Sequence, residues 1–156
     1  MTREMTLAID CGGGGIKGSV VDERGTMMAP ARRVPTPYPL PPELLVETAV
    51  GLAKELPPAT RVTMGMPGMI RHGVVIATPH YITRDGPRSR VLPELVERWD
   101  HFDMGRAIEQ ALSLPTKVLN DAEVAGAGAI TGRGLEMIIT LGTGLGNAVF
   151  DGGQLA

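Results

Sequence analysis

Cysteine occurs once in the 156 residues, at Cys11. A single cysteine excludes an internal disulfide and a cysteine zinc cluster, and Cys11 reads as packing at a strand end. No apolar run approaches the roughly 20 residues that cross a bilayer. The opening "MTREMTLAID" also lacks the basic, apolar, small-residue order of a signal peptide. A reducing, cytoplasmic setting without membrane contact is the expectation. Neither sign of charge is in excess, with 15 Lys+Arg against 17 Asp+Glu, so the chain has no basic surplus with which to coat nucleic acid. His72, His80 and His101 show no metal-ligand spacing and read as surface or capping residues. The nine methionines form no stripe at helical period and read as core filler.

Glycine is plentiful, and four occur in a row within "AIDCGGGGIKGSVVD" (residues 8–22). Ordering four glycines is costly, because each loses more backbone freedom on folding than any other residue. Met5–Asp10 and Ile16–Asp22 read as strands, so the glycines join strand to strand. Gly13, Gly15 and Gly18 match G-x-G-x-x-G, but that dinucleotide fingerprint works only where a helix follows. Here β-branched residues follow. The Gly-Lys-Ser/Thr order of a P-loop is also missing. What remains is a phosphate-cradling hairpin. In it Gly12, Gly13, Gly14 and Gly15 bring backbone N–H groups to phosphate oxygens and adopt positive φ. Asp10 is placed to hold Mg²⁺, directly or through water, and Lys17 to meet phosphate charge. The bland alternative is a ligand-free turn with a solvated lysine.

Met27–Val34 reads as a third strand. A proline-crowded connection over 35–42 leads to a helix with Leu45, Ala49, Leu52, Ala53 and Leu56 at helical spacing, opened by Pro42 and ended by Pro57-Pro58. "RVTMGMPG" (61–68) reads as a strand entering a tight loop, 73–79 as another strand, and 80–93 as a loop. Asp103 is placed to cap a helix through Leu112. Lys117–Asn120 is a short strand and Ala122–Ile130 a small-residue helix. Met137–Leu141 and Ala148–Asp151 flank a second glycine cluster, "GTGLG" (142–146). Three antiparallel strands followed by alternating helices and strands predict an α/β fold with a mixed sheet.

Residues 8–18 resemble the phosphate-1 hairpin of the sugar kinase/actin/heat-shock-protein superfamily. Within it they are most similar to the ROK family of bacterial sugar kinases, in the polyphosphate/ATP glucokinase branch. Three more segments resemble family motifs in order: "GMPG" (65–68), "LNDAEVAG" (119–126) and "TLGTGLGNAVF" (140–150). The resemblance implies a ribonuclease H-like, actin-like ATPase lobe. It also implies phosphoryl transfer from ATP or polyphosphate, with Mg²⁺, to a hexose, glucose being the expected sugar. By the same resemblance Asp121 is the base that takes the hydroxyl proton, although Asn120-Asp121 also reads as a plain helix cap. Asn120 would bind sugar hydroxyls, and Gly65, Pro67 and Gly68 would border the sugar pocket. Gly142, Thr143, Gly144 and Gly146 would wrap phosphates from the opposite side.

Gly14 stands where the family usually has Thr or Ser. Family members continue past this point into most of a second lobe. The expectation is therefore a truncated fragment, with residues 1–133 as the first lobe and 134–156 as the opening hairpin of the second. The full-length form would be a homodimer. A non-catalytic sugar or phospho-ligand sensor, or a ROK-type regulator without its DNA-binding region, is the competing expectation.

Overall fold

The computed structural model describes residues 3–142 and 144–156. The first two apolar runs pair antiparallel, β1 (Met5–Cys11) with β2 (Gly15–Asp22), setting Asp10 opposite Lys17. Alternation along β1 sends Leu7, Ile9 and Cys11 into the core and leaves Ala8 and Asp10 on the other face. β3 (Arg32–Pro35) pairs antiparallel with β2. It is shorter than the 27–34 expected. Met27 meets Val21 only as an isolated bridge, and Pro30 lacks the N–H that would continue a ladder.

Pro42 opens α1 (Pro42–Lys54), which buries Leu45, Ala49 and Leu52 at helical spacing. β4 (Arg61–Met66) follows, then the short hairpin β5 (Met69–Arg71) and β6 (Val74–Ala77). Residues 80–92 hold no helix or longer strand, as expected of the loop, which ends one residue before the 93 expected. The sequence reading passed over α2 (Pro93–Trp99), although its first-turn proline and buried Leu95 and Trp99, four apart, repeat the α1 pattern. Asp103 accepts the Arg106 N–H at 2.9 Å and caps α3 (Met104–Leu112). β7 (Thr116–Asn120) and α4 (Asp121–Ala127) come next, and α4 ends short of Ile130. The chain closes with β8 (Leu135–Leu141), β9 (Leu145–Asp151) and β10 (Gln154–Leu155).

The main sheet runs β3-β2-β1-β4-β7, with β1–β4 and β4–β7 parallel and the first two pairs antiparallel. This is the mixed ribonuclease H-like sheet anticipated above. One face packs on α1 and α3 around Ile16, Val20, Val62, Met64 and Ile108. The opposite face carries α4 beside β4 and β7. No helix among the described residues is long and apolar enough to cross a membrane.

The last three strands make a separate sheet, β10-β9-β8. Gly152 and Gly153 turn β9 into β10 with φ of 55° and 83°, left-handed values that side chains disfavour. The inner face of this sheet sits on α4, where a Cβ at Gly126 would lie 2.7 Å from the Phe150 ring. On its outer face Leu135, Met137, Ile139 and Leu141 are 59–85% exposed. The Glu136 carboxylate gathers the N–H groups of Thr131, Gly132 and Arg133 at 2.7–3.2 Å, fixing the link from α4 to β8.

Asp22 closes the turn after β2. Its carboxylate is 5% exposed and accepts the backbone N–H groups of Thr26 at 2.8 Å and Arg24 at 2.9 Å, together with the Arg3 guanidinium. These donors, the Thr26 N–H foremost, hold its pKa below the usual carboxylate value. A lowered folded-state pKa gives stability above the unfolded pKa near about 3.9, lost as pH falls through the folded value. Asp22→Ala is expected to lower Tm at pH 7, and the gap should close as thermal melts are repeated below about pH 4.

Candidate active site

Asn120 and Asp121 occupy the junction between β7 and α4. The Asn120 Oδ1 accepts the Ala122 N–H at 2.8 Å, and the Glu123 carboxylate accepts the Asn120 N–H at 3.0 Å. This reciprocal pair is a capping box. The Asn120 Nδ2 donates to the Gly68 carbonyl at 2.7 Å, tying the "GMPG" loop to the strand that carries the aspartate. The amide is thus partly committed and, among the described residues, has one N–H and one oxygen lone pair left for a ligand. Gly68 sits at φ 119°, where a Cβ would collide with the Ala77 carbonyl. The buried Thr78 hydroxyl holds the Pro67 carbonyl at 3.0 Å.

Asp121, Asp10, Lys17 and Gly65 meet in one cleft of about 280 Å³. Ala8, Ser19 and Thr63 form its floor, and Val124 and Ala125 of α4 form a wall. Gly65 lets α4 lie this close, since a Cβ there would be 3.2 Å from Val124. Burial pushes the Asp121 carboxyl above its ordinary pKa, and the negative charge of Asp10 adds to the rise. The Ala122 N–H and the His80 imidazole act against it. Burial, with the Asp10 and Asp121 charges, drives the Cys11 thiol up as well, so Cys11 stays an inert thiol in the core.

The remaining expected residues lie outside that lining. Gly12 donates to the Gly15 carbonyl at 2.9 Å across the turn. None of Gly12, Gly13, Gly14 or Gly15 has positive φ, which corrects the expectation drawn from their freedom. At Gly13 space is the reason for glycine instead. A Cβ at Gly13 would be 2.6 Å from the Pro87 ring, and one at Gly15 would strike the Arg33 guanidinium. At Gly14 nothing lies within 4 Å. In the second cluster Gly142 and Gly144 are exposed and joined by a 3.0 Å backbone bond. At Gly146 a Cβ would be 3.0 Å from the Ala122 Cβ, so β9 abuts the start of α4. Thr143 lies outside the described residues.

Four residues near the site escaped the sequence reading. His80, expected at the surface, lies beside the Gly13 turn. Its Nδ1 is buried and has no hydrogen-bond partner among the described residues. Thr36, Tyr38 and Tyr81 send their hydroxyls to carbonyls of the glycine run. Only the folded course of the 35–42 and 80–93 segments brings them there, and no local spacing announces it.

The crowding at Gly13 and the open space at Gly14 give a paired expectation. Gly13→Ala should cost about 1–3 kcal/mol through overpacking. Gly14→Ala should gain about 0.4–1 kcal/mol by stiffening the unfolded chain. Urea unfolding of both variants checks the contrast.

Comparison with known proteins finds relatives of both the sequence and the fold. N-acetylmannosamine kinase of Escherichia coli (strain SE11) is 34% identical over an alignment of 156 positions, covering 96% of this chain and 48% of that protein. The chain thus spans about half the length of the curated relatives it matches. The crystal structure of the inorganic polyphosphate/ATP-glucomannokinase from Arthrobacter sp. strain KM superposes with a TM-score of 0.77 at 31% identity, covering 97% of this chain and 60% of that one. A ROK family glucokinase from Streptomyces griseus, in complex with glucose and AMPPNP, gives 0.74 at 29% identity, covering 97% and 46%. Residues 6–156 match the ROK family, and with the sheet order and the Asn120-Asp121 junction this places the chain in that family.

Proposed function

We propose that this chain carries the aspartate base and the phosphate-facing hairpin of a sugar kinase that moves a phosphoryl group from ATP or polyphosphate to a hexose hydroxyl. One observation carries the reading. Asp10 and Asp121, from motifs far apart in the sequence, meet in a single cleft beside Lys17, and Asp121 holds a raised pKa.

Phosphoryl transfer asks for positioning, charge neutralisation and a destination for one proton. The sugar hydroxyl oxygen forms a bond to the terminal phosphorus, the bond to the leaving phosphate breaks, and the hydroxyl proton passes to Asp121. A carboxylate with a raised pKa is the better base for that step. The free N–H of Asn120 would orient the sugar, with Gly65, Pro67 and Gly68 at the pocket border. Lys17 and the amides of Gly13 and Gly14 would face the donor phosphates, with Gly12 spending its N–H on the Gly15 carbonyl to close the turn beneath them, and 142–146 would close on them from the second hairpin. Mg²⁺ is ordinarily held by one or two carboxylates plus substrate phosphates. Asp10 fits that role, since it is exposed at the end of β1 and lines the cleft beside Lys17 and Asp121. The ion supplies charge neutralisation at the phosphate oxygens when bound.

The named relatives act on or hold glucose-type sugars and N-acetylmannosamine, which supports a hexose or 2-acetamidohexose acceptor. In this reading residues 1–133 form a first lobe, and 134–156 open a second that covers the apolar outer face of β8. Met137→Ser with Ile139→Ser should therefore reduce self-association of the isolated chain, read by sizing chromatography, without lowering its Tm.

The kinase reading is tested on the complete reading frame that contains this chain. Asp121→Asn is expected to cut kcat by about 10²–10⁴ with Tm unchanged. The acid limb of the unaltered protein's pH profile should lie above the usual aspartate range near about 3.9. Turnover equal in the two proteins would sink it.

A further inference from the structure

The glycine turn is gripped from behind by hydroxyls. The Gly12 carbonyl accepts the Thr36 hydroxyl at 2.8 Å and the Tyr81 hydroxyl at 3.1 Å. The Gly13 carbonyl accepts the Tyr38 hydroxyl at 2.9 Å. A peptide unit is planar and trans, so its C=O and N–H point in opposite directions. Pinning the Gly12 carbonyl therefore turns the Gly13 N–H away from the clasp, and pinning the Gly13 carbonyl does the same for the Gly14 N–H. Neither N–H meets a protein acceptor among the described residues. Glycines alone would leave these peptide planes free to rotate, because no side chain limits them.

The donors of the clasp are themselves anchored. Tyr81 is fully buried and packs, with tilted rings, between Tyr38, at 6.4 Å, and Trp99, at 5.7 Å. The Trp99 indole N–H donates to the Leu40 carbonyl at 2.9 Å. Burial raises both phenols, Tyr38 to about 12, so each stays a hydroxyl donor across the working pH range. Tyr81 follows His80 on the 80–93 loop, and Pro87 of that loop presses on Gly13. The same loop therefore stands beside Asp121 through His80 and beside the turn through Tyr81 and Pro87.

We propose that Tyr81, Tyr38 and Thr36 are positioning residues that aim the Gly13 and Gly14 amides at the anionic phosphoryl donor. This rests on the kinase reading only for the identity of the anion. The clasp sets donor affinity without touching the donor, and it leaves acceptor binding alone.

The test uses the complete reading frame and inorganic tripolyphosphate as probe, with affinity read by calorimetry. Tyr38→Phe and Tyr81→Phe keep the rings and remove only the hydroxyls. Each is expected to weaken tripolyphosphate binding about 3–10-fold, and the pair more, with the KM for sugar unchanged. Thr36→Val should act likewise, and Thr36→Ser should restore binding. If the phenylalanine variants melt early, the Thr36 pair decides, because it perturbs packing least. Unchanged affinity in the double phenylalanine variant, or equal affinity in Thr36→Val and Thr36→Ser, overturns the proposal. So does an unaltered protein that binds no tripolyphosphate. Normal tripolyphosphate binding without sugar phosphorylation would instead count against the kinase reading and leave the clasp standing.

Discussion

Everything in the site hangs on the register of three strands. Parallel pairing sets Asp10 of β1 beside Gly65 of β4, and Gly65 beside Leu119 of β7. Asp121 then emerges two residues past Leu119, at the same end of the sheet. A slip of one residue would turn Asp10 into the core and Ile9 out of it, because side chains alternate along a strand. Leu7, Ile9, Cys11, Val62, Met64 and Val118 prevent that slip by their burial. The apolar core on one face thus fixes the acidic pair on the other, and stability and chemistry share one constraint.

Much of this was readable in the sequence because it is local. The β-branched run after the glycines excluded a helix, and β2 is there. Prolines announced the start of α1, and Asp103 announced the cap of α3. The reading faltered where tertiary contacts decide. Positive φ was inferred for Gly12–Gly15 from what glycine permits, whereas the folded chain uses glycine at Gly13 for close approach to Pro87. α2 is seven residues long, too short for periodicity to separate it from the loop before it. Tyr38 and Tyr81 lie 43 residues apart and meet only because the sheet brings their segments together.

The candidate base shows how one position serves two purposes at some cost. Burial beside Asp10 makes the charged form of Asp121 less comfortable, which suits proton capture and opposes folding. Neighbouring residues offset that cost. Asn120 and Glu123 satisfy the first amides of α4, and Asn120 also anchors the Gly68 loop. A cap and a ligand-binding amide are therefore compatible descriptions of the same side chain.

The outer stripe of β8 bears on how this polypeptide acquires its structure. β8–β9 pairs residues close in sequence, so closing it costs little loop entropy. A small antiparallel sheet with one bare face is nonetheless marginal in water, and β8 is also an edge with unpaired backbone groups. Among the described residues its support comes chiefly from α4 on one side, and its other face is bare. The five-stranded sheet is closed by distant contacts and completes its own core, whereas few buried apolar contacts hold the hairpin, so opening it locally costs less than opening the sheet.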